Sequence, residues 1–181
     1  ALPLMAVSAL MVFLEDGSPV LYRPKRVGEN GRLFEMLKFR TMLKNAEQLQ
    51  SQVEKRDADG NIIHKSKDDP RVTKAGRFLR RYSLDELPQF WNVLKGDMSF
   101  VGPRPERPEF VADLTRQIPF YGQRHVVRPG LTGWAQVRHR YGSSVDDAQE
   151  KLQYDLFYIK HLSIPFDTYI ILETIKTVLV R

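Results

Sequence analysis

The sequence has no cysteine. That absence removes a disulfide framework and any thiolate zinc site, and it permits a reducing compartment. Histidine is scarce. His64, His125, His139 and His161 form no HxxxH pair, which argues against a histidine-built metal site. There is no Gly-x-Gly-x-x-Gly stretch and no Walker A lysine loop, so any nucleotide is recognised by another device. No Ser-His-Asp set follows from spacing, and there is no internal repeat or low-complexity run. The longest uncharged apolar stretch, residues 1–14, would reach only about 21 Å as a helix, short of a hydrocarbon core about 30 Å thick. It has no basic residues before it and is not a signal peptide.

What is in excess is positive charge: 28 Lys and Arg against 22 Asp and Glu, a net +6 over 181 residues. Such a chain selects anionic partners: nucleic acid, phosphorylated metabolites or an acidic membrane surface. The basic residues are spread out, which argues against a nucleic-acid tail and leaves a basic groove open. Hydrophobic residues make up 42%, enough for the core of one domain with or without appendages.

The densest reactive chemistry lies in Arg80-Arg81-Tyr82-Ser83-Leu84-Asp85-Glu86-Leu87-Pro88-Gln89. Read as helix grammar, Ser83-x-x-Glu86 is a capping box, with Asp85 at the positive helix end. Read as chemistry, two adjacent acids form a reactive centre and the arginines hold an anion near it. The readings are compatible, because a helix start also attracts phosphate and keeps Asp85 ionised, as a nucleophilic carboxylate requires.

Around this stretch the order is as follows. Residues 1–14 are an apolar helix that Pro3 would kink. The chain is expected to begin inside a longer apolar segment, either a bent helix that enters and leaves on one side or the tail of a spanning helix; a buried core helix is the alternative. Glu15 to Pro19 are turn formers. VLYRPKRV and RLFEMLKFRT flank an Asn30-Gly31 hairpin signal, with Pro24 placing its strand at an edge. Strict alternation would put Lys38 and Arg40 on one strand face. Residues 43–56 read as a polar helix and 57–69 as a surface loop. A short helix over 77–82 precedes a second one that the acidic pair opens, ended by Lys95-Gly96. Pro103 and Pro105 bracket Arg104 and present it on an extended backbone suited to a phosphate or carboxylate. Residues 106–117 are helical. Pro129-Gly130 fits a type II turn. A long helix covers 145–162, Pro165 breaks it, and the apolar tail FDTYIILETIKTVLVR suits either an interfacial helix on a bilayer or a docked core helix.

Taken in order, the apolar start, Lys38-Phe39-Arg40-Thr41-Met42, Asp69-Pro70-Arg71, Ser83 to Gln89, Asn92 to Ser99, Val101-Gly102-Pro103-Arg104-Pro105 and Arg128 to Trp134 closely resemble the bacterial sugar transferase family. These are the monotopic phosphoglycosyl transferases, or polyprenyl-phosphate sugar-1-phosphate transferases. The resemblance covers nearly the whole chain. It implies an α+β fold: a compact, mostly helical catalytic domain with a small β-hairpin, an N-terminal re-entrant membrane helix broken at Pro3 and truncated here, and interfacial amphipathic helices. Residues 1–14 would be the end of the membrane helix. Residues 15–181 would be the catalytic domain at the cytoplasmic face of the bacterial plasma membrane.

The resemblance further implies transfer of a sugar 1-phosphate from a UDP-sugar to undecaprenyl phosphate, with release of UMP, at the start of surface-glycan assembly. Asp85 would be the nucleophile that becomes a phosphoglycosyl-aspartate, and Glu86 would help hold Mg²⁺. Arg80 matches the family's lipid-phosphate arginine, and Arg104 the one assigned to the nucleotide sugar. Lys38, Arg40, Arg71 and Arg128 are further candidates for phosphate contacts. The rival reading is a non-catalytic basic module that binds a membrane surface. A helix-turn-helix around Ser83 would carry the apolar LPQFWNVL where base-reading side chains belong, so nucleic acid is not expected as a partner. The apolar C-terminal helix could serve self-association, as a homo-oligomer, instead of lipid.

Overall fold

A computed structural model describes residues 2–46, 48–49, 69–139 and 145–179. The chain divides into two units, one made of residues 1–22 and 38–88, the other of residues 23–37 and 89–181. Both mix helices with two-stranded sheets, in keeping with the expected α+β class. Among the described residues, no helix is long and apolar enough to cross a membrane.

The first unit opens with α1, Leu2–Asp16. Pro3 lies in its first turn, where a missing N–H has no intrahelical partner to lose. Gly17, at φ +65°, closes the helix as its N–H bonds the Phe13 carbonyl at 2.8 Å. Strand β1, Leu21–Tyr22, pairs antiparallel with β4, Lys38–Phe39. Helix α2, Lys74–Arg81, is capped twice: Thr73 Oγ1 accepts from the Gly76 N–H, and the Glu15 carboxylate accepts from the N–H groups of Lys74 and Ala75, each at 2.7 Å. A Cβ on Gly76 would stand 2.1 Å from the Thr41 carbonyl oxygen, so α2 meets that segment backbone to backbone. Val12, Phe39 and Leu79 form the unit's core, and Leu84 and Leu87 pack on it.

In the second unit, β2, Lys25–Val27, and β3, Leu33–Glu35, form the expected hairpin, with Asn30 and Gly31 both left-handed. The ribbon is not one continuous strand pair. It breaks at Arg23-Pro24 on one side and Met36-Leu37 on the other, and the Pro24 carbonyl accepts from the Met36 N–H. The strict alternation expected through Arg40 therefore does not hold: Phe39 and Arg40 are both buried. Helix α3, Gln89–Lys95, carries Asn92, whose buried amide donates to the Glu35 carbonyl and accepts from the Leu37 N–H. Strand β5, Ser99–Val101, pairs in parallel with β6, Gly130–Thr132, a pairing absent from the expectations. The type II turn at Pro129-Gly130 is not formed. Gly130 lacks positive φ, and its need for glycine is proximity, since a Cβ would meet the Gly102 nitrogen at 2.1 Å.

Helices α4, Pro108–Gln117, and α5, Trp134–Arg138, lead to α6, Val145–Lys160, and α7, Ile164–Leu179. Pro165 does separate the last two, by starting α7 in its first turn. Two apolar clusters hold the unit, one around Val101, Tyr158 and Ile170, the other around Ile118, Tyr121 and Leu152. The polar helix expected over 43–56 and the loop over 57–69 lie mostly outside the described residues; 44–46 and 48–49 are turns.

Candidate active site

The acidic pair stands on a single 3-10 turn, Leu84–Glu86, and not at the start of an α-helix. The capping box is absent. Ser83 is left-handed, at φ 55° and ψ 22°, and its side chain caps nothing. Residues i and i+3 share a face in such a turn. Leu84 and Leu87 are such a pair, and both pack on the Val12, Phe39 and Leu79 core. The same turn carries Asp85 and Glu86 between them. A non-glycine residue with positive φ is uncommon, and such strain gathers at functional sites. Here it immediately precedes the turn that carries the two acids.

Strand β4 lies beside this turn and supplies Lys38, whose Nζ donates to Glu86 Oε1 at 2.8 Å, with both side chains mostly buried. Helix α2 supplies Arg80, whose Nε donates to Thr41 Oγ1 at 2.9 Å. Burial pushes the Asp85 carboxyl above the usual carboxylate range, and the Glu86 charge adds to the shift; the charges of Lys38 and Arg80 oppose it. The first unit therefore assembles two acids and two bases from three segments. A half-buried, partly compensated carboxylate pair of this kind is a candidate chemical centre.

Arg71 turns its fork onto Asp69, with Nη2 to Oδ2 at 2.7 Å and Nε to Oδ1 at 3.0 Å, and its Nη1 donates to the Ala46 carbonyl. Arg40 is placed elsewhere. It is buried at the end of α1, where Nη2 donates to the carbonyls of Asp16 and Gly17 and Nη1 pairs with Asp16 Oδ2 at 3.2 Å. A cation there complements the negative helix end. Arg104 and Arg128 belong to the second unit. Arg128 makes a loose surface pair with Glu29 at 3.6 Å. The Arg104 carbonyl accepts from Arg124, a buried residue that nothing in the local sequence marks. Thr41 was likewise not singled out.

The carboxylate pair suits a hard divalent cation. Mg²⁺ takes oxygen ligands and uses one or two carboxylates beside substrate phosphates. The Asp85 carboxyl is raised first by burial and then by the neighbouring Glu86 charge, which Lys38 and Arg80 oppose.

The whole sequence, residues 1–181, matches the family model described as bacterial sugar transferase. A UDP-N-acetylgalactosamine-undecaprenyl-phosphate N-acetylgalactosaminephosphotransferase from Aeromonas hydrophila is 46% identical over 177 residues, which is 98% of this chain and 39% of that protein. A UDP-glucose:undecaprenyl-phosphate glucose-1-phosphate transferase from Xanthomonas campestris pv. campestris is 42% identical over 180 residues, 98% of this chain and 35% of that protein. A galactosyl transferase from Streptococcus agalactiae is 39% identical over 180 residues, 97% of this chain and 38% of that protein. The chain thus spans 35% to 39% of the length of these relatives.

Proposed function

The chain belongs to the bacterial sugar transferase family, and from that premise we propose that it transfers a sugar 1-phosphate from a UDP-sugar to undecaprenyl phosphate. The observation that supports this most is the 3-10 turn that carries Asp85 and Glu86 beside Lys38 and Arg80. In this reading the Asp85 carboxylate attacks the phosphorus that bears the sugar. The bond from that phosphorus to the bridging oxygen breaks, UMP leaves, and a phosphoglycosyl-aspartate remains. An oxygen of undecaprenyl phosphate then attacks the same phosphorus and Asp85 departs as the carboxylate. Arg80 holds the lipid phosphate. Lys38 keeps Glu86 in place and offsets its charge. Glu86, with Asp85 beside it, would hold Mg²⁺, which when bound neutralises the diphosphate. The roles of Arg104, Arg128, Arg71 and Arg40 as phosphate contacts rest on the family motifs.

We place the protein at the cytoplasmic face of the bacterial plasma membrane. In the first unit α1 exposes Leu2, Leu4, Val7, Leu10 and Leu14; in the second, α7 exposes Ile164, Ile171, Leu172 and Ile175. Rows of exposed aliphatic side chains of this kind are suited to an acyl boundary. The re-entrant geometry of α1 is part of the same proposal.

Incubation with a UDP-sugar and Mg²⁺, without lipid acceptor, is expected to add one sugar phosphate to the chain, read by intact mass and mapped to Asp85. Asp85→Asn should release no UMP. An unmodified chain under conditions of otherwise active turnover would sink the covalent route. Failure to release UMP from any UDP-sugar in a panel of glucose, galactose and N-acetylated donors would favour the non-catalytic membrane-binding module.

A further inference from the structure

The mechanism leaves unused the most deeply buried ion pair among the described residues of the second unit. Arg124 Nη2 stands 2.8 Å from Asp155 Oδ2, and the two side chains are 6% and 2% exposed. The same guanidinium has two other partners. Its Nη1 donates to the Tyr121 hydroxyl at 2.7 Å, and Nη2 also donates to the carbonyl of Arg104 at 3.0 Å. Burying a pair of charges is no gain in stability by itself, since desolvation opposes it. The pair is therefore better read by what it holds, which is the backbone of the Pro103-Arg104-Pro105 turn.

The two prolines of that turn contribute no N–H, and carbonyls of the segment accept hydrogen bonds. The Pro103 carbonyl accepts from the Gly130 N–H at 3.0 Å, and the Glu106 carbonyl accepts from the Val27 N–H at 3.0 Å. Between them the Arg104 carbonyl has a side-chain donor instead, and that donor is fixed through Asp155 on α6. A planar fork with five N–H groups can serve a carboxylate, a phenol and a carbonyl together; an ammonium on a flexible stem cannot hold all three in one geometry.

We propose that Arg124 and Asp155 are positioning residues that set the backbone of Arg104, and through it the aim of its side chain at the nucleotide sugar. This rests on the reading of Arg104 as a contact of the UDP-sugar. Displacement of a binding group by an ångström costs up to about 10²-fold, and a partial loss of hold costs less.

The test is a double-mutant cycle in the membrane-incorporated full chain, with KM measured separately for UDP-sugar and for undecaprenyl phosphate. Arg124→Lys is expected to raise the UDP-sugar KM by about tenfold, with the lipid KM and kcat within about twofold. Tyr121→Phe, which keeps the ring in the core, is expected to act in the same direction by about twofold to threefold. On an Arg104→Ala background both effects should vanish. Thermal melts accompany each variant, and Tyr121→Phe carries the test if Arg124→Lys does not fold. Effects that persist in full on the Arg104→Ala background, or that fall equally on both substrates, would overturn the positioning role. If Arg104→Ala itself leaves the UDP-sugar KM unchanged, the reading of Arg104 fails first and takes the inference with it. If Arg104→Ala raises that KM while neither other variant does, only the inference fails.

Discussion

At the scale of single residues, Lys38 is the side chain on which the proposed chemistry most visibly depends. It donates to Glu86 at 2.8 Å and its charge opposes the upward shift of the Asp85 carboxyl. Lys38→Met removes both effects and leaves two carboxylates facing each other with less compensation. We expect kcat/KM to fall by about 10²-fold, as when a preorganised charge is taken from a reacting centre, with the melting temperature little changed; steady-state assays and a thermal melt read the two. The acids themselves were legible, because Ser83 to Gln89 spells them out. Their partner Lys38 was expected on a strand face and as a phosphate contact, not paired with Glu86. The pairing joins positions 48 apart in sequence, and no local pattern reports that. Arg124 and Asp155 escaped notice for the same reason. Arg40 shows how a local pattern misleads: alternation assumed an unbroken strand, and the break at Met36-Leu37 freed residue 40 to turn inward onto the end of α1.

At the scale of elements, helix grammar was readable and strand pairing was not. The ends of α4, α6 and α7 fall close to their expected places because proline, glycine and periodicity mark them. The β5–β6 pair is parallel, three residues a side and 31 residues apart at Ser99 and Gly130, so it left no hairpin signal. Ser83 illustrates grammar overruled by packing. Leu84 and Leu87 must reach one core, and a 3-10 turn with a left-handed residue before it achieves that where a capped α-helix would not. The seat of α2 offers an element-scale test. Gly76→Ala would bring a Cβ to 2.1 Å from the Thr41 oxygen. The helix must shift, at a cost of about 1–3 kcal/mol, the usual range for overpacking. Since Thr41 also receives Arg80, activity should fall with stability; chemical denaturation and UMP release would show both.

At the scale of the whole molecule, two properties are testable. Leu4 and Leu10 are each 55% exposed on α1. Replacing both with Glu should lower co-flotation with anionic liposomes several-fold, on the order of the cost of charge at a bilayer boundary, while the melt stays unchanged. Persistent flotation would remove α1 from the membrane contact. The second property is acid sensitivity. Burial, with help from the Arg124 charge, lowers the His125 imidazole to about 4 from an ordinary 6.5. Above 6.5 it is neutral whether folded or unfolded and contributes no pH dependence. Between 6.5 and about 4 only the unfolded chain binds the proton, so stability falls as pH falls through that window. His125→Asn should flatten the denaturation midpoint against pH across that range, and a slope as steep as that of the parent would contradict the assignment.

Residues 21–39 are shared out between the units: β1 and β4 belong to the first, β2 and β3 to the second. That arrangement limits how the chain can be divided. A cut at Pro88–Gln89 looks natural on a diagram, yet the piece from residue 89 onward would inherit Asn92 without the Glu35 carbonyl and the Leu37 N–H that satisfy its buried amide. The piece before it would keep a hairpin tip whose support had left with the other half. Neither piece keeps all of its own partners, so a chain divided at that bond is expected to lose the seat of Asn92 and with it part of its stability.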